Sequence, residues 1–137
     1  MNLATAFTGS VQKHATKTAM FWGDQGFTFT QLHDQARAVA QELAATLGVK
    51  PGDRVGLWLK NRPEFVPAYF GILNAGGVVV PINNFLKPDE VSYMLGNCGA
   101  KLLITEEELA GHAPAIVASV PGLQVLKVEA FAALPPA

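Results

Sequence analysis

The sequence predicts an α/β fold: a mostly parallel sheet with helices on both faces, preceded by a β-hairpin. Three observations carry this expectation. Short apolar runs recur at 55–59, 78–82, 101–104 and 123–128, and stretches with helical spacing of apolar residues separate them. Continuous rather than alternating apolar runs suit strands buried on both faces of a parallel sheet, which helices must cover from either side. Glycine and proline mark the junctions, as in Lys50-Pro51-Gly52-Asp53 and Gly76-Gly77, and connections of a few residues are what βαβ units use.

Taken in order, residues 3–15 form a weak helical stretch. Aromatic runs at Ala19-Met20-Phe21-Trp22 and Phe27-Thr28-Phe29 flank Gly23-Asp24-Gln25-Gly26, which reads as a hairpin. Leu32, Ala36, Val39, Ala40, Leu43 and Leu47 then make an amphipathic stripe, with Thr30 placed to cap its start and Gly48 to end it. The run 55–59 is the first buried strand. A helix over 64–75, closed by Gly76-Gly77, leads into Val78-Val79-Val80-Pro81-Ile82. Pro88 opens a helix with Val91, Met94 and Leu95 on one face, ending near Gly99. Lys101–Ile104 is the third strand. Thr105 and Glu108 have the spacing of a capping box for a helix to about Ser119, interrupted at Gly111 and Pro114. Leu123–Val128 is the fourth strand. Residues 1–130 are expected to form one unit, and the small-residue and proline segment 131–137 a linker or truncation point.

Half of the 137 residues are hydrophobic and 15% are charged, enough to fill a core and unlike a disordered chain. A net charge of −1 supplies no basic face for nucleic acid. Cys98 is the only cysteine, so no internal disulfide forms, and a reducing cytoplasmic setting is the simplest expectation. The start at Met1 has no cationic segment followed by an apolar run, and no stretch reaches the ~18 apolar residues of a membrane span. Peripheral membrane contact by a larger protein is not thereby excluded.

Ligand bays of an open α/β sheet lie beyond the C-terminal strand ends, where helix N-termini offer free N–H groups. The bay at Lys60-Asn61-Arg62-Pro63-Glu64 has two cations, but Pro63 lacks an N–H and Glu64 already complements the helix dipole. Asn83–Lys87 before Pro88-Asp89-Glu90 is filled in the same way, and Thr105-Glu106-Glu107-Glu108 repels an anion outright. Gly71 to Gly77 has P-loop glycine spacing, but Gly77 stands where lysine must be, and the segment ends a helix rather than opening one. His14, His33 and His112 lack a partner constellation for general base work. Cys98, Trp22, Trp58, Phe65, Tyr69 and Phe70 read as structural.

The order of segments nevertheless resembles a known family. Thr28-Phe29-Thr30-Gln31-Leu32 is similar to the T-[FY]-x-[EQ]-L opening of adenylate-forming acyl-CoA synthetases, and Gly48–Val55 to their G-x-x-x-G-D-x-V turn. Asn61–Phe65, Ala75–Val78 and Val80–Asn83 are similar to their N-x-x-E-[FW], A-G-[GA]-V and V-P-[IL]-N steps, with Glu90 following. Ile82–Pro88 leans toward the long-chain fatty-acid branch.

The resemblance implies the N-terminal subdomain of the acyl-CoA synthetase fold. It implies a full-length enzyme that uses ATP, Mg²⁺ and coenzyme A to make an acyl-adenylate and then a thioester, with no catalytic residue and no cofactor expected in this segment alone. The rest of its own adenylation domain is then the natural partner. Phe85 and Lys87 fall near the position where some relatives contact coenzyme A at its entrance, although a plain loop leading into the helix accounts for them as well. The alternative is an independent, noncatalytic α/β module of receiver-like or flavodoxin-like shape; a receiver needs acids at strand ends, whereas 55–59 is followed by Lys60. The helix 64–75 is apolar nearly all round, so self-association through exposed apolar surface is expected of the segment on its own.

Overall fold

The computed structural model describes residues 3–137; Met1 and Asn2, with which the expected 1–130 unit begins, lie outside the described residues. Helix α1 (Leu3–His14) leads to a hairpin of β1 (Thr18–Trp22) and β2 (Gln25–Thr28). Only Gly23 and Asp24 form the turn, and Gly23 has φ 58°, as a two-residue hairpin turn with glycine first requires. Helix α2 (Phe29–Gln41) follows directly. Thereafter strands and helices alternate: β3 (Arg54–Leu57), α3 (Phe65–Asn74), β4 (Val78–Pro81), α4 (Pro88–Cys98), β5 (Leu102–Thr105), the short α5 (Glu107–Ala110), α6 (Ala113–Ser119) and β6 (Gln124–Lys127).

The four later strands form a parallel sheet in the order β4-β3-β5-β6, with Leu57 of β3 between Pro81 and Ile104. Side-chain alternation splits the interior in two. Val55, Leu57 and Leu59, with Leu102 and Ile104, pack on Val39 and Leu43 near the end of α2 and on Ala68 and Ile72 of α3. Trp58 and Leu103 point to the other face, onto Val91 and Leu95 of α4 and Ile116 of α6. Gly56 lies on that second face, where a Cβ would stand 2.6 Å from Leu95 Cδ2; only glycine admits α4 this closely.

Several local expectations are corrected. The cap of α2 is Thr28, not Thr30: the Thr28 hydroxyl accepts from Gln31 N at 3.1 Å, and Gln31 Oε1 accepts from Thr28 N at 2.8 Å. Thr30 Oγ1 instead donates to Ala15 O at 2.9 Å, tying α2 to the segment before the hairpin. The helix also finishes in a π turn, Glu42–Thr46, before Gly48 at φ 72°. Thr105 does not cap α5. It is the last residue of β5, paired with Lys127, and its hydroxyl donates to Trp58 O at 2.8 Å. Phe131, placed by composition in a tail without periodicity, is buried in the first core within a 3₁₀ turn, Val128–Ala133.

The helix expected to be bare is covered. Pro67, Ala68, Gly71 and Ile72 of α3 are buried. Phe70 stacks on Phe7 of α1 with ring centroids 4.2 Å apart, so α1 and α2 cover the apolar surface that the sheet does not. Contact with α2 is close: a Cβ on Gly71 would meet Val39 Cγ1 at 2.5 Å, Val39 Cβ at 2.8 Å and Ala36 O at 3.2 Å. Gly71→Ala should therefore lower stability by about 1–3 kcal/mol through overpacking. Gly9→Ala, in α1 with nothing within 4 Å, should raise it by about 0.5–1 kcal/mol. Urea titration of both variants checks the pair, and equal midpoints would contradict the α2–α3 contact.

Candidate functional site

Strand β3 connects through α3 to β4 on one side, and β4 returns through α4 to β5 on the other, with α3 and α4 on opposite faces of the sheet. The strand order therefore reverses between β3 and β5, the switch point where α/β sheets place ligands beyond their C-terminal ends. The ladder runs past both strands here, with Trp58 N donating to Ile104 O at 2.9 Å. Next comes Lys60, whose backbone N–H donates to Glu106 Oε2 at 2.7 Å. The Glu106 side chain is 4% exposed, so a carboxylate of this chain sits in the mouth of the crevice.

The charges around it are mutually engaged. Arg62 holds Glu64 in a fork, Nε to Oε1 at 3.2 Å and Nη2 to Oε2 at 2.7 Å, donates through Nη1 to Glu129 at 2.7 Å, and lies 3.9 Å from Glu106. Lys60 pairs with Glu108 at 2.9 Å and Lys127 with Glu107 at 2.7 Å. Glu129 also accepts from Glu107 N through both oxygens at 3.1 Å. The Glu64 hydrogen bonds raise the Arg62 pKa further above its ordinary value, against the lowering effect of burial. Glu107 raises that of Lys127. Burial alone would lift the Glu129 carboxyl, but the N–H groups of Glu107 and Glu129 and the Arg62 guanidinium outweigh it and hold the carboxyl below its usual range. Two of the three bays are thus one clasp, in which Lys60, Arg62 and Lys127 each have a carboxylate partner and none is left for a phosphate.

The third bay is separate from the clasp. Asn83 Oδ1 accepts from Phe85 N at 2.8 Å, and Glu90 Oε1 accepts from Lys87 N at 2.9 Å, so the loop is ordered by its own side chains before Pro88 opens α4. Phe85 is 93% exposed. Lys87 is also exposed and enters no ion pair among the described residues. An open aromatic face and a free cation two residues apart suit a planar, phosphate-bearing group.

The remaining candidates stay structural. His14, His33 and His112 lie against Phe29, Phe7 and Trp58 at ring-centroid distances of 6.2, 5.9 and 6.2 Å. The half-buried Cys98 thiol donates to Leu95 O at 3.6 Å. Trp58 Nε1 is buried without a hydrogen-bond partner. Among the described residues no group of three or more His, Cys, Asp or Glu side chains stands together to hold a metal. Reading by bays anticipates Lys60, Arg62 and Glu64, but misses Lys127 and Glu129, which reach the clasp from β6 and the turn after it; no local spacing reports so distant a pairing.

With that geometry in place, the chain matches the family described as AMP-binding enzyme over residues 7–134. It is 35% identical to the long-chain-fatty-acid–CoA ligase of Escherichia coli O157:H7 over 109 residues, 80% of this chain and 19% of that protein. It is likewise 35% identical to gramicidin S synthase 2 of Brevibacillus brevis over 103 residues, 75% of this chain and 2% of that protein. A benzoate CoA ligase from Burkholderia xenovorans LB400 superposes with a TM-score of 0.88 at 29% identity, covering 100% of this chain and 29% of that one. The chain thus spans a fifth or less of the curated relatives named here.

The clasp sets a pH dependence. A carboxyl whose folded pKa is lowered contributes stability that is complete above the unfolded value, about 4.3 for glutamate, and is lost as pH falls through the lower folded value. The Glu107 amide resonance, which reports the Glu129 carboxylate, should hence titrate with a midpoint below that of free glutamate. Glu129→Gln should remove the step. A midpoint at or above the free value contradicts the clasp.

Proposed function

Because the chain belongs to the AMP-binding enzyme family, we propose that it is the N-terminal scaffold of an ATP-dependent, AMP-forming ligase that activates a carboxylic acid and passes it to coenzyme A. In that reaction the carboxylate attacks ATP, pyrophosphate leaves, and the thiol of coenzyme A then displaces AMP from the acyl-adenylate. The observation that carries the reading is the clasp. A family match runs through nearly the whole chain, while the switch-point crevice, where a nucleotide would be sought in a free-standing α/β domain, is closed by the chain's own ion pairs.

Phosphate-binding groups, the metal site for Mg²⁺ and the groups acting on the carboxylate then belong to the rest of the adenylation domain, and no step is assigned to residues of this chain. A long-chain fatty acid is the favoured substrate. The resemblance of the Ile82–Pro88 segment and the 35% identity to a long-chain fatty-acid ligase support it. Equal identity to gramicidin S synthase 2 makes an amino acid the alternative carboxylate. The module is read as cytoplasmic, with 1–130 as the subdomain and 131–137 as its connection onward. Phe85 and Lys87 are proposed to line the coenzyme A entrance, the phenyl ring against the adenine and the ammonium near a phosphate.

The segment on its own should give no saturable heat with Mg-ATP by calorimetry; a micromolar site, about −8 kcal/mol, would contradict its role as scaffold. In the full-length enzyme, pyrophosphate exchange should depend on fatty acids and product formation on coenzyme A. Exchange stimulated by an amino acid instead selects the alternative. Phe85→Ala and Lys87→Ala should raise KM for coenzyme A and leave pyrophosphate exchange unchanged, the pattern of lost binding at the second step. An unchanged KM would remove both residues from the entrance.

A further inference from the structure

The hairpin ends in an open edge. β1 pairs only with β2, in a two-stranded sheet separate from the main one. Trp22 and Gln25 close the two-residue turn, so they form a hydrogen-bonded pair, and Phe21 opposite Gly26 is the next, non-bonded pair. The backbone N–H and C=O of Phe21 therefore point away from β2. Their outer side is unprotected. The run Thr18-Ala19-Met20-Phe21-Trp22 has no charge and no proline, whereas the edge strands of the main sheet carry Pro81 in β4, and Gln124 and Lys127 in β6. Charge and proline are the usual means of blocking edge pairing. Phe21 is 72% exposed and Trp22 43%, the former with its ring edge 3.4 Å from where a Gly26 Cβ would stand.

We propose that this edge binds a second copy of the chain, with β1 adding to β1 antiparallel about a two-fold axis at Phe21 to give a four-stranded sheet, β2-β1-β1-β2. Phe21 N–H then donates to Phe21 C=O of the second copy, and the reverse bond completes the pair. In this register Met20 faces Trp22 of the second copy, a sulfur–aromatic contact made twice. Thr18 faces Asp24 of the second copy, which brings Lys17 beside that carboxylate. Lys17 and Asp24 enter no ion pair of their own among the described residues, so the edge is complementary to itself in charge as well as in hydrogen bonding. One short strand covers less than the roughly 1,200 Å² of a stable interface, and the association is weak and concentration-dependent. The proposal does not depend on the ligase reading.

Sedimentation of the 137-residue chain tests it. The average mass should rise from 14.5 kDa toward twice that value as concentration increases from micromolar to millimolar. Phe21→Lys should hold it at the monomer. Since that change also uncovers Gly26, a second variant leaves the ladder alone: Lys17→Glu should weaken association roughly two- to fivefold, and adding Asp24→Lys to it should restore the affinity. Phe85→Lys and Tyr93→Lys, on exposed aromatics elsewhere, should change nothing. A monomer at every concentration, loss of association on changing Phe85 or Tyr93, or failure of the charge exchange to restore it would overturn the proposal.

Discussion

Strand β3 has a neighbour on each edge and a helical layer on each face, and most of the architecture follows from that enclosure. Its alternation sends Val55, Leu57 and Leu59 to one side and Gly56 and Trp58 to the other. A strand in that position has nowhere to place a polar side chain, which is why the run reads as continuously apolar. It also limits size. Gly56 lets Leu95 of α4 approach, and across the sheet Gly71 lets α3 close on Val39 of α2. The two helical layers are as near as they are because these two positions lack a Cβ.

Enclosure of β3 fixes where its C-terminal end emerges, and the same end carries the polar load of the fold. The chain leaves an apolar strand and at once presents Lys60 and Arg62, while β5 ends into three consecutive glutamates. Opposite charges meet because two parallel strands in register release their loops side by side. A carboxylate as enclosed as Glu106 needs partners; it has the Lys60 N–H at 2.7 Å, with the Arg62 guanidinium at 3.9 Å. Glu129 extends the clasp to the turn after β6, and that turn puts Val128 and Phe131 into the first core. The ion pairs and the apolar packing thus secure the same segment from opposite sides.

Long-range burial was legible in the sequence wherever it left a period. The parallel sheet, its helices, the hairpin and the glycine ends at Gly48 and Gly99 all follow from spacing and turn chemistry. Local polar choices were not so legible. Thr28 and Thr30 offer the same hydroxyl, and which one caps α2 depends on Ala15, whose carbonyl claims Thr30. Thr105 has a capping spacing, yet β5 extends one residue further to pair with Lys127 and takes the hydroxyl to Trp58 O. In the tail a cue was present, since Val128 and Phe131 stand three apart as a 3₁₀ turn requires, but Pro135 and Pro136 dominate its composition. The candidate site divides in the same way: the cations and prolines of each bay could be read directly, whereas pairings from β6 become visible only once the strand order is known.

The apolar surplus of α3 shows how composition can identify a buried helix without identifying what buries it. Phe65, Val66, Tyr69, Phe70 and Leu73 exceed what one face on a sheet can hold, and the excess invites a partner outside the segment. Instead α1 supplies Phe7 against Phe70 and α2 supplies Val39 against Gly71, with only Phe65 of α3 left among the exposed large hydrophobics, at 38%. The aromatics that stay open are Phe21, Phe85 and Tyr93, on the hairpin, the loop before α4 and α4 itself. None continues either core. Both cores are closed by residues of this chain, so what the surface offers to other molecules is a strand edge and isolated rings rather than an unfinished interior.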